Sequence, residues 1–278
     1  MKHQEGKFQD SKGQSLYYQS WTPEGKAKAA ALIVHGLNEH SGRYQDLAAF
    51  LTENGYAVYS LDLPGHGKSY GLRSYVDDLQ DFFDPLDIYL NMIHDWQPGL
   101  PVYLLGHSMG GTISAAFLIE HQDRFAGAVL SGPLVKVPDY VSNFTLQMGE
   151  FLSSVLPKMR IISIEAEAVS RDPAVVEAYL NDPLVYTGKV TVRMSNEINK
   201  AIAIIEEKGA NISIPLLLLH GSADRLCESA WSEYLNDLVS SQDKKLIIYE
   251  GLYHEVYNEP EADTVFADLL NWLEEHTS

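Results

Sequence analysis

Gly106-His-Ser-Met-Gly110 sets a hydroxyl two positions from a glycine on each side. A serine so placed, at a sharp turn from strand to helix, lifts its Oγ clear of the sheet edge, and such a turn tolerates only very small residues two positions away on either side, at 106 and 110. The context suits it. Val102–Leu105 reads as a buried strand, and Met109-Gly-Gly-Thr-Ile-Ser-Ala-Ala as a helix of small residues whose first N–H groups face developing negative charge. Ser108 is the candidate nucleophile. A serine needs a base and an acid to orient it, and after such an elbow they come in the order Asp or Glu, then His, each following a strand. Of the downstream histidines, His121 lies about three helical turns away and His276 is in the tail. His220 directly follows a strand, which leaves Lys245–Tyr249 to carry the next histidine. Through Glu250-Gly-Leu-Tyr that strand leads to His254, the candidate base. The acid then belongs after Leu216–Leu219, where His220-Gly-Ser-Ala-Asp224 supplies Asp224. Glu228 is the fallback, and Asp237 and Asp243 read as solvated charges.

An oxyanion needs two N–H donors. One comes from the residue after the serine, Met109, and the other from the loop after an earlier strand, here His35-Gly36-Leu37-Asn38, which assigns the N–H of Leu37. Losing one such donor typically costs roughly 3–4 kcal/mol. His35 reads as a structural hydrogen-bonding residue, and His107, beside the nucleophile, as a candidate for the pocket wall. The histidines show no metal-binding spacing and a lone cysteine, Cys227, excludes a thiolate cluster, so the expectation is no metal and no cofactor. Asp62-Leu-Pro-Gly-His-Gly-Lys-Ser69 lacks the pattern of a phosphate loop and reads as a tight turn.

These residues need a frame. Short apolar runs at Ser15–Ser20, Ala29–Val34, Tyr56–Leu61, Val102–Leu105, Ala126–Leu130, Leu216–Leu219 and Lys245–Tyr249 predict strands. Several are continuously apolar, as strands buried on both faces of a parallel sheet are. Helices are predicted near Tyr44–Glu53, Phe82–Asp95, Met109–Glu120, Ala230–Ser240 and Glu261–Glu274. This alternation defines an α/β fold. From about Pro133 to Ser213 it breaks, with helical segments and no clear core strand. An insertion there lies over the carboxyl ends of the strands, where open α/β sheets bind ligands, and reads as a mainly helical cap (133–213) on a catalytic domain of residues 1–132 and 214–278. Phe144, Met148, Phe151, Leu152, Val155 and Met159 recur at helical spacing, a face expected to seat the helix on the protein or to line an apolar tunnel.

Acids outnumber bases 38 to 20 in the 278 residues, a net charge of −18 that repels nucleic acid and gives no general attraction to anionic lipid. No apolar run approaches the roughly 20 residues of a membrane span. With one cysteine and a polar start, the chain is expected to be soluble and cytoplasmic.

His35-Gly-Leu-Asn-Glu-His-Ser-Gly-Arg-Tyr44, Asp62-Leu-Pro-Gly-His-Gly-Lys-Ser69, Gly106-His-Ser-Met-Gly-Gly111 and Gly221-Ser-Ala-Asp-Arg-Leu-Cys227 together resemble the monoacylglycerol lipases, a family that includes lysophospholipases and carboxylesterases, from about Tyr18 to Trp272. The resemblance implies the α/β-hydrolase fold, supports Ser108, Asp224 and His254 as triad with Leu37 and Met109 as oxyanion donors, and implies that Glu39 and Arg43 support the polar end of the pocket. It places His107 and Tyr179 near the glycerol. The expected activity is hydrolysis of a fatty-acid ester, monoacylglycerol first, with transient contact of the cap with a lipid surface. A lysophospholipase or short-chain carboxylesterase is the alternative, and a non-catalytic binding protein of the same fold the alternative outside enzymes.

Overall fold

The computed structural model describes residues 1–138 and 141–277, so positions 139 and 140, which fall within the expected insertion, lie outside the described residues. Ten strands and eight α-helices follow in order: β1 (Lys2–Gln9), β2 (Ser15–Thr22), β3 (Ala29–Val34), α1 (Gln45–Glu53), β4 (Tyr56–Leu61), α2 (Gln80–Trp96), β5 (Val102–His107), α3 (Met109–His121), β6 (Gly127–Ser131), α4 (Asn143–Val155), β7 (Arg160–Ile162), α5 (Pro173–Asn181), β8 (Val190–Thr191), α6 (Val192–Lys208), β9 (Leu216–Gly221), α7 (Ser229–Leu238), β10 (Lys244–Tyr249) and α8 (Ala262–His276).

Eight strands form one sheet in the order β1-β2-β4-β3-β5-β6-β9-β10. From β4 to β10 it is parallel, and β1 and β2 add an antiparallel edge. The inner strands β3, β4, β5, β6 and β9 are buried along their whole length, as their unbroken apolar runs require. Helices cover both faces, and two apolar clusters result. One packs Phe82, Leu86, Ile113, Phe117, Ile198 and Ile202 against one face. The other packs Leu47, Leu51, Val265, Leu269 and Trp272 against the opposite face.

Sheet order decides where the site can be. The chain runs from β3 outward to β4, then returns to lay β5 on the other side of β3, with Val34 opposite Gly106. The ends of β3 and β5 are therefore adjacent while their following segments diverge, which opens a crevice at that point. The loops after β3 and β5 are those that carry Leu37 and Ser108.

Two features add to the expected frame and one expectation needs correction. The strand β1 was not foreseen, because its mostly exposed polar residues lack the apolar signal of an inner strand. The insertion holds two strands, β7 and β8, which pair with each other antiparallel and stay apart from the main sheet. The apolar stripe from Phe144 to Met159 neither seats α4 nor lines a tunnel along its length: α4 ends at Val155, and Phe144 and Phe151 are 69% and 59% exposed. Thr145, Leu146 and Gly149 are the α4 residues that face inward to the cavity.

Candidate active site

At the end of β5 the backbone turns within one residue. Ser108 has φ 53° and ψ −122°, a conformation that strains a residue with a side chain by roughly 1–3 kcal/mol. The flanking glycines are dictated by contact. A Cβ on Gly110 would lie 2.1 Å from the carbonyl oxygen of Val34, and one on Gly106 would lie 2.6 Å from Ser114 Oγ. The helix α3 therefore starts pressed against the end of β3. Ser108 is half-buried and held by its N–H, which donates to Ser131 O at 2.9 Å.

Asp224 follows β9, and its carboxylate is closed off from solvent. Oδ1 accepts from the N–H groups of Leu226 (2.8 Å) and Cys227 (3.0 Å). Oδ2 accepts from His254 Nδ1 at 2.7 Å and from His220 Nε2 at 3.1 Å. Burial works to raise this acid, but His254, His220 and the N–H of Cys227 outweigh it and hold the carboxyl far below its usual range. With Nδ1 donating to Asp224, His254 keeps Nε2 as an acceptor facing the cavity, the tautomer a general base requires. Burial disfavours its imidazolium, yet the Asp224 carboxylate prevails and the His254 proton is held above the ordinary value of 6.5.

Ser108 and His254 line the same cavity, and no hydrogen bond joins them in this structure. Cys227 lines the cavity with them, and burial pushes the ionisation of its thiol well up. Leu37 and Met109 line the cavity beside Ser108, and neither N–H donates to another described group. Their loop is fastened from behind. Gly36 N–H donates to Glu39 Oε1 (2.6 Å), and His35, buried and without charge at neutral pH, accepts from Leu63 N–H through Nε2 (2.9 Å). The Asp62 segment is more than the expected tight turn, because Asp62 Oδ1 accepts from both the N–H (2.8 Å) and the hydroxyl (2.6 Å) of Ser41 and so anchors this loop too.

Four further residues complete one end. Glu39 also accepts from Tyr44 OH (2.7 Å) and from Arg43 (2.8 Å). Burial opposes its charge, but Arg43 and the neighbouring histidines hold it down to about 2. The guanidinium of Arg43 lies 4.8 Å from the ring centre of Tyr179. His107 Nδ1 donates to Ser131 O (3.1 Å), its ring 4.8 Å from that of His254; burial first and His254 second push it down to about 4, so it is neutral. Glu39, His107 and Tyr179 line the cavity, whereas Arg43 sits behind it. Beyond them the cavity, about 560 Å³, is walled by apolar side chains of the insertion such as Leu146, Ile161, Ile164, Val190 and Ile202.

Two residues that contribute here escaped the sequence reading. Ser232 Oγ donates to His220 Nδ1 (2.7 Å), which fixes His220 as a second donor to Asp224. Glu255 receives Arg43 in a two-pronged ion pair at 2.5 and 2.7 Å. Position alone could have marked Glu255, which adjoins His254, whereas Ser232 lies 12 residues from His220 on the next helix and carries no local signal.

A parallel sheet with a serine elbow at its switch point, facing an Asp–His pair, defines an α/β hydrolase of the serine type. Residues 25–261 match the family model described as serine aminopeptidase, S33, and the chain belongs to that family. It is 37% identical over 264 residues to the monoacylglycerol lipase of Mycolicibacterium smegmatis, covering 95% of this chain and 94% of that protein. To the human monoglyceride lipase it is 38% identical over 269 residues, covering 96% and 89%. The crystal structure of Paleococcus ferrophilus monoacylglycerol lipase superimposes with a TM-score of 0.83 at 27% identity, over 99% of this chain and all of that one.

Proposed function

We propose that this chain hydrolyses monoacylglycerol to fatty acid and glycerol through an acyl-enzyme on Ser108. The observation that carries the reading is the two-sided cavity: a single space of about 560 Å³, walled mostly by apolar side chains that suit an acyl chain, with Ser108 and a compact polar group of Glu39, His107, Tyr179 and Glu255 in its lining. That polar end suits a small hydroxylated leaving group. The similarity to lipases of this name supports it.

In the proposed reaction the Ser108 hydroxyl closes on His254, a contact that catalytic groups often complete only with substrate in place. Nε2 takes the hydroxyl proton as Oγ attacks the ester carbonyl, and the N–H groups of Leu37 and Met109 receive the oxyanion. The imidazolium, steadied by Asp224, returns the proton to the departing glycerol oxygen. Water, deprotonated in the same way, then releases the fatty acid and restores Ser108.

Residues 133–213 act in this reading as a cap that supplies most of the apolar wall. The exposed Phe144, Phe151, Val155 and Leu156 on and after α4 suit transient contact with a lipid surface, from which an acyl chain would enter. Among the described residues no helix is long and apolar enough to cross a membrane. The unpaired Cys227 suits a reducing cytoplasm.

Rates of the purified protein on 1-monoacylglycerol, lysophosphatidylcholine and short p-nitrophenyl esters test the assignment. Monoacylglycerol should be turned over with the highest kcat/KM, and a higher value on lysophosphatidylcholine would overturn it. Ser108→Ala should lose ester hydrolysis and labelling by a fluorophosphonate with little change in Tm, because the hydroxyl faces a cleft. Retention of a tenth of the rate would refute Ser108 as nucleophile.

A further inference from the structure

Arg43 stands at the polar end of the cavity as its guanidinium, and its charge is already committed. Its side chain is 10% exposed and pairs with Glu39 at 5% and Glu255 at 6%. Glu255 Oε2 also accepts from Asn258 Nδ2 at 2.8 Å. Two carboxylates against one guanidinium leave a net negative charge in a closed, weakly polarisable corner. Neither of the other cations that reach the cavity wall can offset it. Arg225 is exposed and paired with Glu165. The Lys136 ammonium sits 4.4 Å from the ring centre of Tyr234, a residue outside the cavity lining. His107 is neutral.

From this we infer that Glu255, fixed by Arg43, sets the specificity of the cavity's polar end, admitting uncharged leaving groups and excluding anionic ones such as phosphate monoesters. The inference rests on the reading that the leaving group of the ester occupies that end. A phosphate placed there would meet two carboxylates and no free cation, since Arg43 is paired with both and any charge on His254 is already balanced by Asp224. Fixed like charges in a desolvated site repel strongly, because little solvent is present to screen them. The two carboxylates are not equivalent. Glu39 holds the loop of Gly36 and Leu37 through Gly36 N–H and Tyr44, whereas Glu255 contacts Arg43 and Asn258 and adds its charge without touching that loop. Glu255 is therefore the carboxylate whose charge can be removed without loosening that loop, and its effect on neighbouring His254 falls equally on both members of a substrate pair.

Two substrate pairs test the inference, each with one acyl chain and either a neutral or an anionic leaving group. The first is 1-oleoylglycerol against its 3-phosphate. The second is 4-nitrophenyl butyrate against 4-carboxyphenyl butyrate, which contains no glycerol. In Glu255→Gln, which keeps an acceptor for Arg43, the neutral-to-anionic ratio of kcat/KM should fall at least about ten-fold in both pairs relative to wild type. Intrinsic reactivity cancels in that comparison. A fall in the aryl pair while neither glycerol ester is turned over would uphold the charge and remove the glycerol reading. Unchanged ratios, with Tm near that of wild type, would overturn the inference. Should the variant not fold, wild type alone decides: equal kcat/KM for 1-oleoylglycerol and its 3-phosphate would overturn it, and strong preference for the neutral ester would support it.

Discussion

At His254 two opposed effects meet, burial against the imidazolium and the Asp224 carboxylate for it, and the carboxylate wins. The sign of the pH dependence follows. A general base must be neutral, so kcat/KM should rise with pH along a limb whose midpoint lies above 6.5. His107, held at about 4, is neutral throughout that range and adds no limb to it. Asp224→Asn removes the charge that raises His254, so the midpoint should move down. The amide also favours the wrong imidazole tautomer, so turnover should fall by orders of magnitude, roughly ten-thousand-fold on the precedent of trypsin. A pH–rate profile on a soluble ester reads both effects, and an unmoved midpoint with undiminished turnover would show that Asp224 is not the acid.

Between the elements, the tightest constraint is the seat of α3 on the end of β3. Gly110→Ala would place a methyl 2.1 Å from one backbone carbonyl oxygen and 2.4 Å from the next. Neither can yield without moving the strand that carries the Leu37 loop, so Tm should drop by several degrees and activity more than stability. Unaltered thermal melting and turnover would contradict this packing. The α4 face is a contrasting case. Replacing Phe144 and Phe151 by Ser should leave hydrolysis of soluble short esters intact and slow that of vesicle-borne monoacylglycerol several-fold. Equal slowing of both would mean that the residues support the cavity rather than meet lipid. The same two elements mark what a sequence reveals. Gly106-x-Ser108-x-Gly110, the strand-ended positions of Asp224 and His254, and the apolar inner strands are local signals, legible because each follows from neighbours in sequence. The Arg43–Glu255 pair joins residues 212 positions apart, and no local pattern carries it. The periodicity of α4 discloses an apolar face but not what that face meets, and β1, polar on its exposed edge, discloses almost nothing.

Over the whole molecule the formal charge of −18 works against the apolar face of α4 whenever the lipid surface is anionic. Turnover of monoacylglycerol carried in neutral vesicles should exceed that in vesicles rich in phosphatidylserine at low ionic strength. Raising salt should close the gap, because a Debye length near 8 Å at physiological ionic strength shrinks to about 3 Å at 1 M. A salt-independent gap would point to lipid packing instead of charge.

The helix α6 belongs to two structures at once. It is the connection that returns the chain to β9, packed through Met194, Ile198, Ala201 and Ile205 into the scaffold, and it also lends Ser195, Asn199 and Ile202 to the substrate space. That space has one wall the scaffold cannot relinquish and another, from α4 through β8, that no strand of the main sheet depends on. Acyl-chain preference should then be transplantable with residues 142–191, provided that Tyr179 and the backbone bonds of Tyr186 N–H to Asn38 O and of Glu255 N–H to Val169 O are kept, since these hold the segment to the site around Ser108.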